Sequence, residues 1–390
     1  MRLSPSQQVG IVAALGTAQT VGWASSYYLP AVLAGPMAET YGVSPVWIFA
    51  AFSGAMIVSA LIGPWSGARI DRLGGRGVLI ASNLIFATSL ALMANSTSLT
   101  MLVLAWLVMG IGMGIGLYDS AFAALTAIYG REARTPITGI TLIAGFASTV
   151  GWPLSAWLEA RYGWRMACLG WMVIHLALAL PLNLILPSGV HAKPVAMPPG
   201  EPMAVPAEAR TRDMAILAFV FAVTWFTSTA MAAHLPRMLE AAGASAVAAV
   251  AAGALIGPAQ VGARVLEFAF LRKVHPLVST RIATLAHPVA AGLLLLIGGP
   301  AAAAFALVHG AGNGVLTIAK GTLPLAMFGP AGYGLRQGLL SAPARVMQAL
   351  APVIFGLVLE RFGAHAILLT GALGVAAFAV LLLLKPRSEG

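Results

Sequence analysis

The feature that most constrains this chain is a succession of apolar runs, each about the length of one bilayer crossing, separated by short polar breaks. Twelve runs begin near Val9, Val46, Gly77, Leu99, Pro136, Arg165, Met214, Ser245, Leu277, Ala301, Leu335 and His365. A spanning helix takes about 20 apolar residues, so 390 residues hold a dozen spans with short loops. Apolar residues make up 59% of the chain and charged ones only 9%, against roughly 25% in soluble domains. A water-soluble fold could not hide that much apolar surface. The pattern therefore predicts an all-α integral membrane protein. It excludes a soluble enzyme, a disordered chain and a nucleic-acid binder, and the lipid bilayer becomes its first partner. The first run passes the length of a signal peptide without an A-x-A cleavage pattern, so it reads as a retained helix.

The six apolar runs on each side of one long polar stretch predict two six-helix bundles, 1–186 and 214–390. The stretch itself, 187–213, carries six prolines and reads as an extended cytoplasmic linker. The formal charge of +10 has an orienting role. With both termini in the cytoplasm, fifteen basic residues fall at cytoplasmic ends: Arg2, Arg69, Arg72, Arg76, Arg131, Arg134, Lys193, Arg210, Arg212, Arg272, Lys273, Arg281, Arg336, Lys385 and Arg387. Four fall outside: Arg161, Arg165, Arg237 and Arg361. That bias follows the positive-inside rule and predicts a multi-pass protein of the cytoplasmic, inner membrane.

The halves also resemble each other at an offset near 200 residues. Leu29-Pro30 is expected to close the first helix and Leu235-Pro236 the seventh. Tyr129-Gly130 and Phe328-Gly329 end the fourth and tenth. Glu159, Arg161 and Gly163 follow the fifth; Glu360, Arg361 and Gly363 follow the eleventh. Six helices separate the repeats, so they are parallel repeats about an axis along the membrane normal.

Between the second and third runs stands Gly67-Ala68-Arg69-Ile70-Asp71-Arg72-Leu73-Gly74-Gly75-Arg76. This loop resembles the G-x-x-x-D-R-x-G-R-R motif of the major facilitator superfamily. The resemblance implies a fold of two six-helix bundles that rock against each other. It also implies a gating latch made by Gly67, Asp71, Arg72, Gly74 and Arg76. A narrower resemblance is to the monocarboxylate and oxalate–formate branch, carried by Tyr27-Tyr28-Leu29-Pro30, by Met37 to Ser44, and by Arg134, Gly139, Gly145, Gly151 and Gly163-Trp164-Arg165. There are departures. Ala31 stands where animal monocarboxylate carriers have a lysine. Trp106 stands where proton–drug antiporters have an arginine, and Gly151-Trp152-Pro153 interrupts their Gly-Pro signature.

Four charged residues fall inside apolar runs: Asp119, Arg264, Lys320 and Arg345. A charge at mid-bilayer is costly and faces partners or a watery cavity. Arg345 lies near the middle of the eleventh run, where the branch resemblance implies a substrate-binding cation. Arg264 lies on the eighth, either for the substrate or in a gate salt bridge with Glu267. The branch's aspartate four residues earlier is Gln260 here. Lys320 either binds substrate or snorkels to the cytoplasmic face. Asp119 either carries a coupling proton or forms a structural ion pair. Tyr27, Tyr28 and His234 are placed to bond a carboxylate or to pack. His175, His287 and His309 carry no comparable reason for a role.

No phosphate-cradling motif and no metal-ligand spacing occurs, so no cofactor, no metal and no catalytic residue is expected. The single cysteine, Cys168, allows no intramolecular disulfide. The expectation is a monomeric secondary transporter, not an enzyme. It moves a small organic anion, a mono- or dicarboxylate, by proton symport or anion exchange. The competing reading is a proton-driven exporter of drugs or other xenobiotics.

Overall fold

The structure is a computed structural model that describes residues 4–189, 207–271 and 274–386, with side chains described from 211 onward in the second stretch. Every regular element among the described residues is helical. Twelve passes follow in order. α1 is Pro5–Ser25 with Pro30–Thr40, α2 Pro45–Leu73, α3 Arg76–Ala94, and α4 Leu99–Gly116 with Tyr118–Tyr129. α5 is Arg134–Ala144 with 147–162, and α6 is 164–184. Then come α7 Ala207–Ala241, α8 Ala246–Leu266 with a π turn Glu267–Leu271, α9 Pro276–Ile297, α10 Ala302–Phe328, α11 Tyr333–Phe362 and α12 Ile367–Leu381. The expected linker is shortened from its end, because 207–213 are the first turns of α7. Its residues 190–206 lie outside the described residues, as do the basic residues Arg2, Lys193, Arg272, Lys273 and Arg387 and the side chain of Arg210.

Local chemistry sets the ends. Ser4 caps α1 in a reciprocal box with Gln7, and Pro5 follows at the first helical position. Ser44, Ser98 and Ser245 cap α2, α4 and α8, each side chain accepting a backbone N–H. Gly74, Gly298 and Gly329 stop α2, α9 and α10 at φ 81°, 75° and 73°, where a side chain would be strained. Gly163 at φ 80° separates α5 from α6.

The Leu-Pro pairs do not close their helices as expected. Pro30 opens the second part of α1, where its missing N–H costs nothing. Pro236 lies inside α7, which runs on to Ala241.

The chain divides into two compact units, Met1–His191 with Gly332–Gly338, and Ala192–Ala331 with Leu339–Gly390. The first turns of α11 thus belong with the first unit. Both units have the same internal packing plan, carried by glycines that let backbones touch. In the first, Gly110 lies against Ala55 and Gly114 against Ser59, joining α4 to α2, while Gly112 lies against Phe86 of α3. In the second, Gly310 lies against Ile256 and Gly314 against Gln260, joining α10 to α8, while Gly312 lies against Ala286 of α9. The repeat seen in sequence is therefore a repeat of helix contacts. Large apolar side chains such as Leu61, Val247 and Leu296 stand exposed, as helices that lie in lipid allow.

Candidate functional site

The charged residues inside the passes are buried, and each sits where a local feature of the fold holds it. α4 breaks at Leu117, whose backbone is extended, and restarts at Tyr118. Asp119 therefore stands in a helix's first turn, where unpaired N–H groups favour a carboxylate. Its Oδ1 accepts a hydrogen bond from Nε2 of Gln337 on α11, at 3.1 Å. Gln337 is fully buried and was not singled out from the sequence, where an α11 glutamine carries no distinguishing pattern.

The residues expected to form a latch lie at the end of α2 and the start of α3. Asp71 accepts backbone N–H bonds from Gly334 and Leu335, at 2.8 and 2.9 Å. These are the first N–H groups of α11, left without intrahelical partners. Gly67 lies against the Gly334 carbonyl so closely that a Cβ would overlap it. Gly74 supplies the positive φ that stops α2. Arg72 is exposed and Arg76, the first residue of α3, is half-buried.

In the second unit, Arg264 is 4% exposed. Its Nε donates to the Gly314 carbonyl at 3.3 Å, and its Nη2 to Gln260 Oε1 at 3.3 Å and Thr317 Oγ1 at 3.4 Å. The guanidinium thus spans α8 and α10, as its fork of donors allows. Gln260 is part of the arginine's surroundings rather than a separate feature. Glu267 is also buried, at the start of the π turn. Lys320 does not snorkel. It is buried, with Nζ 5.1 Å from the centre of the Trp225 ring of α7. Arg345 is 5% exposed, about 18 Å along α11 at 1.5 Å per residue.

His234 is half-buried on α7, and its Nε2 donates to the Pro352 carbonyl of α11 at 2.7 Å. Its ring edge rests on Gly356. The imidazole joins two helices of the second unit. Tyr27 and Tyr28 are half-buried in an aromatic cluster of the first unit. Trp23 lies 5.2 Å from Tyr27 and 5.0 Å from Tyr118, Tyr27 lies 5.6 Å from Phe52, and Tyr28 lies 5.7 Å from Trp152, centre to centre. These are edge-on and tilted contacts typical of packed aromatics.

Sequence reasoning passed over three histidines that the structure surrounds with partners. His175 contacts Ser25 and Asn83 and stacks on Phe86. His287 and His309 contact each other. The one signal available was position: His309 adjoins the Gly310, Gly312, Gly314 run that draws α10 against α8 and α9. No group of three or more His, Cys, Asp or Glu among the described residues has the geometry of a metal site.

Comparison with known proteins follows the same lines. The family model described as Major Facilitator Superfamily matches residues 14–308. No curated protein sequence matches the chain. Among solved structures, the human organic anion transporter MFSD10 (TETRAN) is similar with a TM-score of 0.73 at 18% identity, covering 97% of this chain and 100% of that one. The proton:xylose symporter XylE bound to 6-bromo-6-deoxy-D-glucose has a TM-score of 0.74 at 14% identity, covering 98% and 97%. The transporter FucP in the outward conformation has a TM-score of 0.72 at 15% identity, covering 98% and 100%.

Proposed function

Since the chain belongs to the Major Facilitator Superfamily and is thus a multi-pass membrane transporter rather than an enzyme, we propose that its substrate is a small organic anion, a mono- or dicarboxylate. The observation that carries this reading is the burial of three cations, Arg264, Lys320 and Arg345, in the second unit. Buried positive charge is costly in a membrane protein, and an anionic substrate offsets that cost by charge-assisted hydrogen bonds.

In this reading Arg264 and Arg345 bind the anion. Gln260 and Thr317 orient Arg264, Lys320 adds positive potential from its place over Trp225, and His234 sets α7 against α11. Asp119, bonded to Gln337, is an anchor for the start of α11. The Gly67–Arg76 segment, the end of α2 and its turn into α3, with Asp71 on the α11 terminus, is a latch that opens and closes during alternating access. The protein works as a monomer in the inner membrane, and the distribution of its basic residues supports cytoplasmic termini. Coupling is by proton symport or by anion exchange.

The aromatic cluster around Trp23 is the observation that favours the second reading, proton-driven export of drugs, since such rings suit apolar or cationic aromatic compounds. Uptake of labelled lactate, formate, oxalate and succinate into proteoliposomes separates the two. The anion reading expects uptake of at least one, abolished by Arg345→Gln in protein that still melts cooperatively. Failure of all four, with extrusion of a cationic dye instead, overturns it.

A further inference from the structure

The second unit holds a pair of histidines in one chain of hydrogen bonds. Nδ1 of His287 on α9 and Nδ1 of His309 on α10 are 3.0 Å apart. Nε2 of His287 is 2.9 Å from Thr370 Oγ1 on α12, and the Thr370 hydroxyl donates to the Ile367 carbonyl at 3.1 Å. We assign the Thr370 proton to that carbonyl, which can only accept. Thr370 Oγ1 then accepts from His287 Nε2–H. A neutral His287 is left with a bare Nδ1, which accepts from His309 Nδ1–H. The bare base of the pair is therefore Nε2 of His309.

His309 lines a cavity between α7, α9, α10 and α12, with His287, Thr224, Thr227 and Asn313 among its other residues. The space admits water. Thr227 is 5% exposed, and its hydroxyl has no hydrogen-bond partner. A buried hydroxyl without a partner is unusual and marks a place for one.

We propose that His287 and His309 form a proton-binding site of the second unit, taking one proton at His309 Nε2. Adding that proton needs no rearrangement of the chain behind it. Every link already donates away from His309, through His287 and Thr370 to the Ile367 carbonyl. Each acceptor thus turns its negative end toward the new cation. The added N–H finds its acceptor in the cavity in the Thr227 hydroxyl, directly or through water.

The described residues lining this cavity from α7, α9, α10 and α12 include no carboxylate, lysine or arginine. Arg281, six residues before His287 on α9, is bonded to the carbonyls of Leu381 and Leu384. Lys320, eleven residues past His309, lies over Trp225. From α8, which packs on α10, the charged groups are Arg264 and Glu267.

The site is tied to Arg264 along one face of α10. His309, Asn313 and Thr317 recur every four residues, which stacks them on one side of the helix. Thr317 Oγ1 donates to the Asn313 carbonyl at 2.9 Å and accepts from Arg264 at 3.4 Å. Eight residues of helix separate the pair from this contact by about 12 Å. A proton on the pair therefore favours an anion held by Arg264, and an anion there favours the proton. This coupling rests on the anion reading of Arg264; the proton site does not.

The test uses the full chain in lipid nanodiscs with 15N-labelled histidine, titrated between about pH 4 and pH 8 around the ordinary histidine range. The two rings are expected to titrate together, taking up one proton. Thr227→Val, which removes a hydroxyl and keeps the shape, is expected to move the midpoint to lower pH. His175→Gln is expected to leave it unchanged. Two rings that stay neutral throughout, or a midpoint unmoved by Thr227→Val, overturn the site. Binding of labelled lactate and oxalate is then measured across the same range. Affinity is expected to weaken about 5- to 150-fold on the alkaline side, and to lose this dependence in His309→Gln. Anion binding with the same pH dependence in His309→Gln overturns the coupling. If neither anion binds while the pair titrates, the substrate reading fails and the proton site stands.

Discussion

Asp71 and Gly334 are 263 residues apart, yet a carboxylate oxygen of the first accepts the backbone N–H of the second at 2.8 Å. The other oxygen takes the N–H of Leu335. One side chain thereby satisfies two of the donors that the start of α11 cannot satisfy internally. Losing a cap of this kind costs about 1–2 kcal/mol. Asp71→Ala should therefore lower the melting temperature and loosen the first turn of α11. The single native cysteine is buried, so Leu335→Cys in a Cys168→Ala background gives a clean reporter. Labelling of that position by a hydrophilic maleimide should rise several-fold when Asp71→Ala is added. Asp71→Asn, which keeps one acceptor, should fall between the two. Equal labelling in all three would contradict the cap.

Gly67 and Gly314 are predicted to resist even alanine. A Cβ at Gly67 would overlap the Gly334 carbonyl, and one at Gly314 would overlap the Gln260 carbonyl. Backbone atoms cannot turn aside as a side chain can, so each substitution must spread two helices. Overpacking of this sort costs about 1–3 kcal/mol. Gly10→Ala is the control, since nothing lies within 4 Å of its Cβ position. Thermal melting of the three purified variants should rank Gly10→Ala near the parent and the other two well below it.

The passes were legible because hydropathy acts over some 20 residues and needs no tertiary information. The ends of α4 and α10 at Tyr129 and Phe328 were legible because a glycine at positive φ is a local stop. The Leu-Pro pairs misled because a proline's effect depends on its place: Pro30 starts a helix, while α7 continues through Pro236 to Ala241. The break at Leu117 left no trace in a run of glycines and apolar residues, so the helix-terminal position of Asp119 was hidden. The burial of the internal charges followed from their place in apolar runs. Their partners did not: Trp225 under Lys320, Gln337 beside Asp119 and Pro352 beside His234 come from other helices, at separations a single sequence does not encode.

Lys320 offers a test of how a buried ammonium is held. Its Nζ stands 5.1 Å from the Trp225 ring centre, within range of a cation–π attraction worth up to about 2 kcal/mol when desolvated. Trp225→Phe keeps an aromatic face of weaker field and should cost less than Trp225→Leu, which keeps only bulk. Melting of these variants in a Lys320→Met background isolates the pair. The difference between Phe and Leu should vanish once the ammonium is gone. A difference of the same size in both backgrounds would mean that Trp225 acts by packing alone.

Arg264 distinguishes charge from shape at the proposed anion site. Its guanidinium reaches Gly314 and Thr317 on α10 and Gln260 on its own helix at once. An ammonium is a point donor on a narrower head and cannot span these acceptors together. Arg264→Lys should therefore keep the charge but release one or more of them. Each buried acceptor left unpaired costs about 1–3 kcal/mol, which should appear as a lower melting temperature. For the anion, the loss of a forked, charge-assisted contact should weaken binding roughly tenfold, since each 1.4 kcal/mol is tenfold. Arg264→Gln removes the charge as well and should weaken it further. If binding of labelled oxalate were unchanged in both variants while stability fell, Arg264 would be a structural link between α8 and α10, and Arg345 would carry the anion alone.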